Sequence, residues 1–496
     1  MKKKTLKKMK QNTRAKNKIN GFMFEKNGWK YISIYGNPRE RGFAYGYLCA
    51  KDFIDIQKML HFFMYESYGK SWEYFIEKIS GDFKSMTKSK FPEFYEEMDG
   101  IAKGCNANGC KTSVDEMIAW NFYMSIPYWY PHFIETNGTD DTTQTGVLAG
   151  PREGGSGSKD RCSAFIAVGK DWTEDGNIVV AHNSFCDFID GQYSNIVLDI
   201  KPNKGHRIIM QTSPCWIWSG TDFFVTSKGI IGTETTIGGF LPYEKKFPIG
   251  YRIREAMQYG NSLDDYVKIL LKENSGDYAN SWLFGDINTN EILRIELGLN
   301  YHNVERTKNG YFIGFNAAYS PEIRNLECIN SGFYDIRRHQ GARYVRLSDL
   351  MDEYKGKLNI NIAKKIIADH YDVYLEKENM CSRTVCSHYD LDPREYMSAA
   401  GRPLPFAPHG AVDGFVCDSK MARNMTICGR FGNSCGTPFI TKDFIKKHRQ
   451  YEIFEPYLKD RPSQPWTDFS PINKPNIKNR RTRHSKINST KRRRKV

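Results

Sequence analysis

Cys162 stands where a loop of small polar residues meets a strand. Residues 136–161 read TNGTDDTTQTGVLAGPREGGSGSKDR, and Ser163-Ala164-Phe165 opens a run of strand-forming residues. A stretch dominated by Gly, Ser, Thr and Asp offers no face to bury and is open to cleavage. If the chain is cut before Cys162, an α-amino group with an ordinary pKa of about 7.7–8.0 arises on the residue that carries the thiol. Nucleophile and base are then held together by covalent geometry alone, an arrangement suited to attack on an acyl carbonyl. Position by itself does not separate this from the plainer reading, a small buried side chain at the head of a strand.

The other eleven cysteines make no comparable pattern. Twelve in 496 residues are too sparse for a disulfide scaffold. No C-x-x-C pair occurs, and the closest spacings are Cys105/Cys110 and Cys381/Cys386. His388 follows the second pair, which makes a zinc site thinkable, but two further ligands at suitable spacing are not evident. No metal or organic cofactor is expected.

The elements that must position Cys162 read as layered α+β. A short strand is expected at 29–35. Asn37-Pro38 then opens a helix, with proline where its missing N–H costs nothing. Apolar residues at helical spacing continue to about Tyr130, so 21–135 is a mainly helical N-terminal segment. After the 136–161 linker come strands at 163–169 and 177–182, joined through Asp175-Gly176. Further strands are expected at 195–200, 207–212, 223–226 and 230–235, helices near 250–258 and 262–273, and a hairpin of 281–285 with 291–297. Helices follow around 338–354 and 360–371, then short strands near 411–418 and 424–429. Antiparallel strands without a βαβ rhythm argue for α+β layers.

Charge and hydropathy exclude several classes. The net charge of +15 sits on two tails: residues 1–20 hold nine Lys or Arg and no acid, and residues 474–496 hold eleven and no acid. The body between them is weakly acidic, with 52 basic against 57 acidic residues. Nucleic-acid binding by a folded basic face is therefore excluded, while the tails, expected to be disordered, remain open to polyanion contact or simple solvation. No apolar run reaches membrane-spanning length. No signal peptide is seen at the N-terminus, so an intracellular or virus-associated location is expected over secretion.

Several segments, in order, carry a resemblance: Cys162-Ser163-Ala164, Val180-Ala181-His182-Asn183-Ser184-Phe185, SGTDFFVTSKGIIGTETTIGG from Ser219 to Gly239, and NSGDYANSW from Asn274 to Trp282. YDLDP at 389–393, the run from His409 to Asp413, and PWTDFSP at 465–471 follow. Over roughly 160–471 the chain resembles the phospholipase B-like family of N-terminal nucleophile (Ntn) hydrolases. The earlier NPRERGFAYG, 37–46, is similar to the head of related acyltransferring and linear-amide-hydrolysing Ntn enzymes.

The resemblance implies an αββα sandwich, with 162–471 as the catalytic region and 472–496 as a tail. It implies Cys162 as a nucleophile exposed by self-cleavage of the Arg161–Cys162 bond. It further implies His182 and Thr235 as pocket residues, and Asn280 as an oxyanion donor. Phe185 stands where the family usually has tryptophan, in the acyl pocket. The implied activity is fatty-acid release from glycerophospholipids through a thioester. An amidase or acyltransferase acting on N-acyl small molecules is chemically as accessible. A catalytically inactive fold with polyanion-binding tails is the alternative of another class. Taken singly, Asn280 reads as a turn cap, Thr235 as strand material, and His182 and His409 as structural; their order is what favours a site.

Overall fold

The computed structural model describes residues 19–137, 162–220, 223–329, 331–393 and 405–472. Most of the 136–161 linker, Arg161, and nearly all of both basic tails lie outside the described residues.

Two sheets form the centre. The larger holds nine strands: β1 (Gly21–Lys26), β2 (Trp29–Gly36), β5 (Ile196–Pro202), β6 (Ile208–Thr212), β7 (Phe223–Thr226), β8 (Ile230–Thr236), β9 (Asn280–Asp286), β10 (Glu291–Leu297) and β11 (His302–Thr307), in that spatial order. The smaller runs β12 (Gly310–Gly314), β3 (Cys162–Val168), β4 (Val179–Asp187), β16 (Asp413–Asp418), β17 (Ile427–Phe431) and β18 (Thr467–Phe469). In it β15 (His409–Ala411) pairs the far end of β4. Strands β13 (Tyr371–Asp372) and β14 (Lys377–Glu378) make a separate ribbon.

Period-two alternation explains how the layers stack, because successive side chains leave opposite faces of a strand. Along β3, Ala164, Ile166 and Val168 enter the core between the sheets, together with Val197, Ile209, Val225, Ile231 and Leu283 of the larger sheet. Phe165 and Ala167 point the other way, onto Leu347, Leu350 and Met351 of α9 (His339–Glu353) and onto Ala363 and Ile366 of α10 (Ile360–Ile366). The outer face of the larger sheet, with Leu198, Met210, Phe224, Trp282 and Phe284, is covered by the N-terminal helices and by α7 (Ile249–Tyr259) and α8 (Leu263–Leu271). The result is helices, sheet, sheet, helices.

The N-terminal segment is mainly helical, but it is not a separate layer. Strands β1 and β2 belong to the nine-stranded sheet, and β2 runs parallel to β5 across more than 160 residues of chain. The strand β1 was not expected from the sequence; its Gly21–Lys26 run pairs β2 through a turn at Asn27-Gly28, both at positive φ. The α1 helix (Pro38–Tyr68) begins as the Asn37-Pro38 signal implies: Asn37 and Glu40 form a reciprocal capping box, with proline in the first turn. Helices α1 and α3 (Pro92–Ala107) approach so closely that a Cβ on Gly46 would stand 2.0 Å from the Ile101 carbonyl oxygen. Between the two helices, Arg41 donates to Glu97 at 2.6 Å and Arg254 of α7 donates to the same carboxylate at 3.1 Å. That buried network ties α1 and α3 to α7 within the helical layer. Among the described residues no helix is long and apolar enough to cross a membrane.

Candidate active site

Strand β3 delivers Cys162 to the end of the sandwich. Its parity places the thiol on the inter-sheet face, with Ala164 and Ile166, and the residue is buried. Antiparallel pairing sets Cys162 opposite Ser184 and Ala164 opposite His182, so His182 and Ser184 share that face.

Three residues not singled out from the sequence converge on Cys162. Its Sγ lies 3.8 Å from Glu234 Oε1, which also accepts from the Tyr278 hydroxyl at 2.8 Å. Its backbone N–H donates to Asn316 Oδ1 at 3.2 Å. Its carbonyl accepts from the Arg343 guanidinium, which also donates to Ser163 Oγ at 3.1 Å and to Asn316 Oδ1 at 2.8 Å. Asn316 Nδ2 in turn donates to the Thr236 carbonyl at 2.7 Å. The amide of Asn316 is thus fixed in orientation by a donor on one side and an acceptor on the other.

Local backbone geometry makes these contacts possible. Asn316 sits just past β12 with φ 65°, and Tyr278 sits just before β9 with φ 54°. The left-handed region is tolerated by asparagine but is strained for a tyrosine, and such strain gathers at functional sites. Arg343 projects from the first turns of α9, across the Phe185 ring at 5.2 Å from its centroid. A guanidinium over an aromatic face is favourable when desolvated, so Phe185 supports Arg343 from below.

The residues expected from the sequence also reach this end of the sandwich. Thr235 packs against Gly314, where a Cβ would come within 2.4 Å of its Oγ1; Gly314 pairs with Ala164 of β3. Asn280 pairs with Thr236, on the same sheet face as Glu234 and one diagonal step, about 7–8 Å, from it. His182, Thr235 and Asn280 are all buried. Among the described residues no hydrogen-bond partner is found for Thr235 Oγ1 or for the Asn280 amide atoms, while the His182 ring turns toward the Glu234 backbone carbonyl. Unsatisfied buried polar groups cost about 1–3 kcal/mol each and call for an explanation beyond stability. His409 is held differently: its Nδ1 is 2.9 Å from Asp187 Oδ1, the satisfied structural histidine that its position suggested.

Burial pushes the His182 imidazole down to about 3 from 6.5, a shift that the nearby Glu234 backbone carbonyl opposes only in part. His182 is therefore neutral at physiological pH. The unfolded chain binds the proton near pH 6.5 and the folded chain does not until about pH 3, so this histidine's contribution to stability is complete above pH 6.5 and is lost as pH falls toward 3. Replacing His182 with asparagine should flatten the acid limb of stability by up to about 1.4 kcal/mol per pH unit across that window. Urea midpoints measured from pH 7 to pH 3.5 test this, and superimposable pH profiles would refute it.

Glu234 had one visible signal, a lone acid within the otherwise uncharged strand IIGTETT. Asn316 and Arg343 had none, since they lie 154 and 181 residues from Cys162 and meet it only through the fold.

Four layers, helices on both outer faces of two stacked sheets, make an αββα sandwich with Cys162 at the head of an inner strand. The family model described as Phospholipase B, a hydrolase-type family, matches residues 50–296, just under half of the chain. The chain is similar to the phospholipase B-like 2 protein of Rattus norvegicus, 30% identical over 154 residues, and to that of Mus musculus, 29% identical over 157. Each match covers 27% of this chain and 24% of the relative, so the chain matches about a quarter of the relatives' length. Among solved structures it is similar to penicillin V acylase from Agrobacterium tumefaciens, at 12% identity and a TM-score of 0.33, over 54% of this chain and 83% of the other. A mutant conjugated bile acid hydrolase from Clostridium perfringens gives 12% identity and a TM-score of 0.32, over 54% and 89%.

Proposed function

We propose that the protein is an acyl hydrolase that matures by cutting its own chain before Cys162 and then uses the Cys162 thiol on lipid-borne acyl groups. The observation that carries this reading is the double anchoring of Cys162: its nitrogen faces Asn316 Oδ1 while its sulfur faces Glu234. Those are the two atoms that an N-terminal cysteine needs held, base and nucleophile.

In maturation, Sγ attacks the carbonyl of Arg161 and the thiol proton passes to the departing peptide nitrogen, giving a thioester and the free α-amine; water then hydrolyses the thioester to the Arg161 carboxylate and the Cys162 thiol. In turnover the neutral α-amine removes the thiol proton and the thiolate attacks the substrate acyl carbon. The alcohol leaves with the proton, and water resolves the acyl-enzyme. Asn316 Oδ1 accepts from the amine and keeps its lone pair turned toward the sulfur. The Arg343 charge beside Cys162 favours the amine's neutral form, as a neighbouring cation does for any amine. The unpartnered Asn280 amide suits the developing oxyanion, where one such donor is worth roughly 10²–10³ in rate. His182, being neutral, lines the site without adding charge. Thr235 fixes the floor against Gly314.

Purified protein should run as two associated fragments of about 18 and 39 kDa from the 57.4 kDa chain, the larger beginning at Cys162 on N-terminal sequencing. It should release fatty acid from phosphatidylcholine. A single intact band from active protein would overturn self-maturation, and release from N-acyl amino acids alone would replace the ester reading with the amidase one.

A further inference from the structure

Behind Phe185 the fold gathers four side chains for which the acyl chemistry has no use. His370 follows α10, Cys386 and His388 lie in the loop after β14, and Cys435 lies in the turn after β17. One ligand atom from each falls within 4.8 Å of all the others. His388 Nε2 is 3.5 Å from Cys386 Sγ and 3.4 Å from Cys435 Sγ, and the two imidazole rings stand 5.1 Å apart between centroids. Cys386 and His388 are buried and the other two half-buried, and thiols and imidazoles from three separate stretches of chain rarely converge in this way without a common partner.

We propose that His370, Cys386, His388 and Cys435 bind one zinc ion in a closed tetrahedral site. With Zn–S near 2.3 Å and Zn–N near 2.0–2.1 Å, the sulfur–nitrogen edges of such a tetrahedron are about 3.5 Å, which the two measured separations match. The donor set is the one zinc prefers, two soft sulfurs and two imidazoles. On binding, both thiols lose their protons to solvent and both imidazoles bind neutral. Two thiolates then balance the 2+ charge, so the complex carries no net charge into a buried place.

The surroundings fit a ligated state. The Thr437 backbone N–H points at Cys435 Sγ at 3.5 Å, a donor placed for a thiolate, in a turn that Gly436 closes at φ 83°. Asp390 Oδ1 lies 3.7 Å from His388 Nδ1, on the ring edge away from the sulfurs. A carboxylate there selects the tautomer whose Nε2 lone pair faces the metal. His370 Nε2 is buried and has no hydrogen-bond partner among the described residues.

Four protein ligands leave no open position, so the role is structural. The ion would join three loops at one point. Cys386 packs with Phe185 and Ala411, with Cys435 against them, and the Ser387 carbonyl accepts from Ala411 of β15. Because Phe185 carries Arg343, the zinc site buttresses the wall of the Cys162 site without touching its chemistry. The proposal stands independently of the acyl reading.

Full-length protein expressed with zinc and purified without chelator should contain about one zinc per chain by elemental analysis. Cys435→Ser and His370→Ala should each lower that at least tenfold, whereas Cys162→Ser should leave it unchanged while abolishing processing. Cobalt exchanged into the wild type should give the ligand-field bands and thiolate charge-transfer band of a tetrahedral S₂N₂ site, a readout that needs no variant to fold. Zinc-free wild type with no cobalt spectrum would overturn the proposal. So would a Cys386–Cys435 disulfide found by mass spectrometry in the native protein.

Discussion

Cys162→Ala is expected to leave the chain uncut and to lower acyl release by at least about 10³-fold, the scale on which removing a catalytic nucleophile acts. Two measurements separate this from a folding defect. The variant should keep the wild-type melting profile, because an alanine fits a site that is already small and buried between the sheets. It should also keep one intact band where wild type gives two. Loss of the thiol removes both the group that attacks the Arg161 carbonyl and the group that attacks substrate, so processing and turnover fall together. An uncut but active variant, or a cut one, would contradict the assignment of Cys162.

Asn316→Gly is expected to cost roughly 10² in turnover, comparable to removing one aligned polar group from a preorganised site. The Asn316 side chain holds three partners at once: the Cys162 nitrogen, Arg343 and the Thr236 carbonyl. Glycine keeps the φ of 65° without strain but supplies none of these contacts. Alanine supplies none either and pays in addition about 1–2 kcal/mol for the left-handed backbone. The two variants should therefore share the catalytic loss, while only alanine shows the extra stability loss in urea. A glycine variant with wild-type turnover would remove Asn316 from the site and leave it a structural turn.

Cys162, His182, Glu234, Thr235, Tyr278 and Asn280 all fall within the 50–296 segment that matches the family. Asn316, Arg343 and the four proposed zinc ligands lie beyond it. The half of the site that grips Cys162 from the smaller sheet's far edge is thus contributed by chain that the family match does not reach.

Local rules were enough for most elements. Period-two alternation along 163–169 and the Asn37-Pro38 start are written in neighbouring residues, and the observed strand and helix follow them within a residue or two. The position of Cys162 at the head of a strand was readable for the same reason. What the sequence alone determined, then, is the α+β layering and the place of Cys162 on a strand, because both depend on side chains a few residues apart. What only the tertiary structure decided is which partners meet. Strand β2 lies beside β5, Arg343 reaches Cys162 across 181 residues, and Cys435 reaches His388 across 47. No periodicity records such contacts, since they depend on how two sheets and their helices bury a shared core. A search by spacing stops at Cys381, Cys386 and His388; the fold turns Cys381 to Asp372 instead and brings His370 and Cys435 to the cluster as the other two proposed ligands.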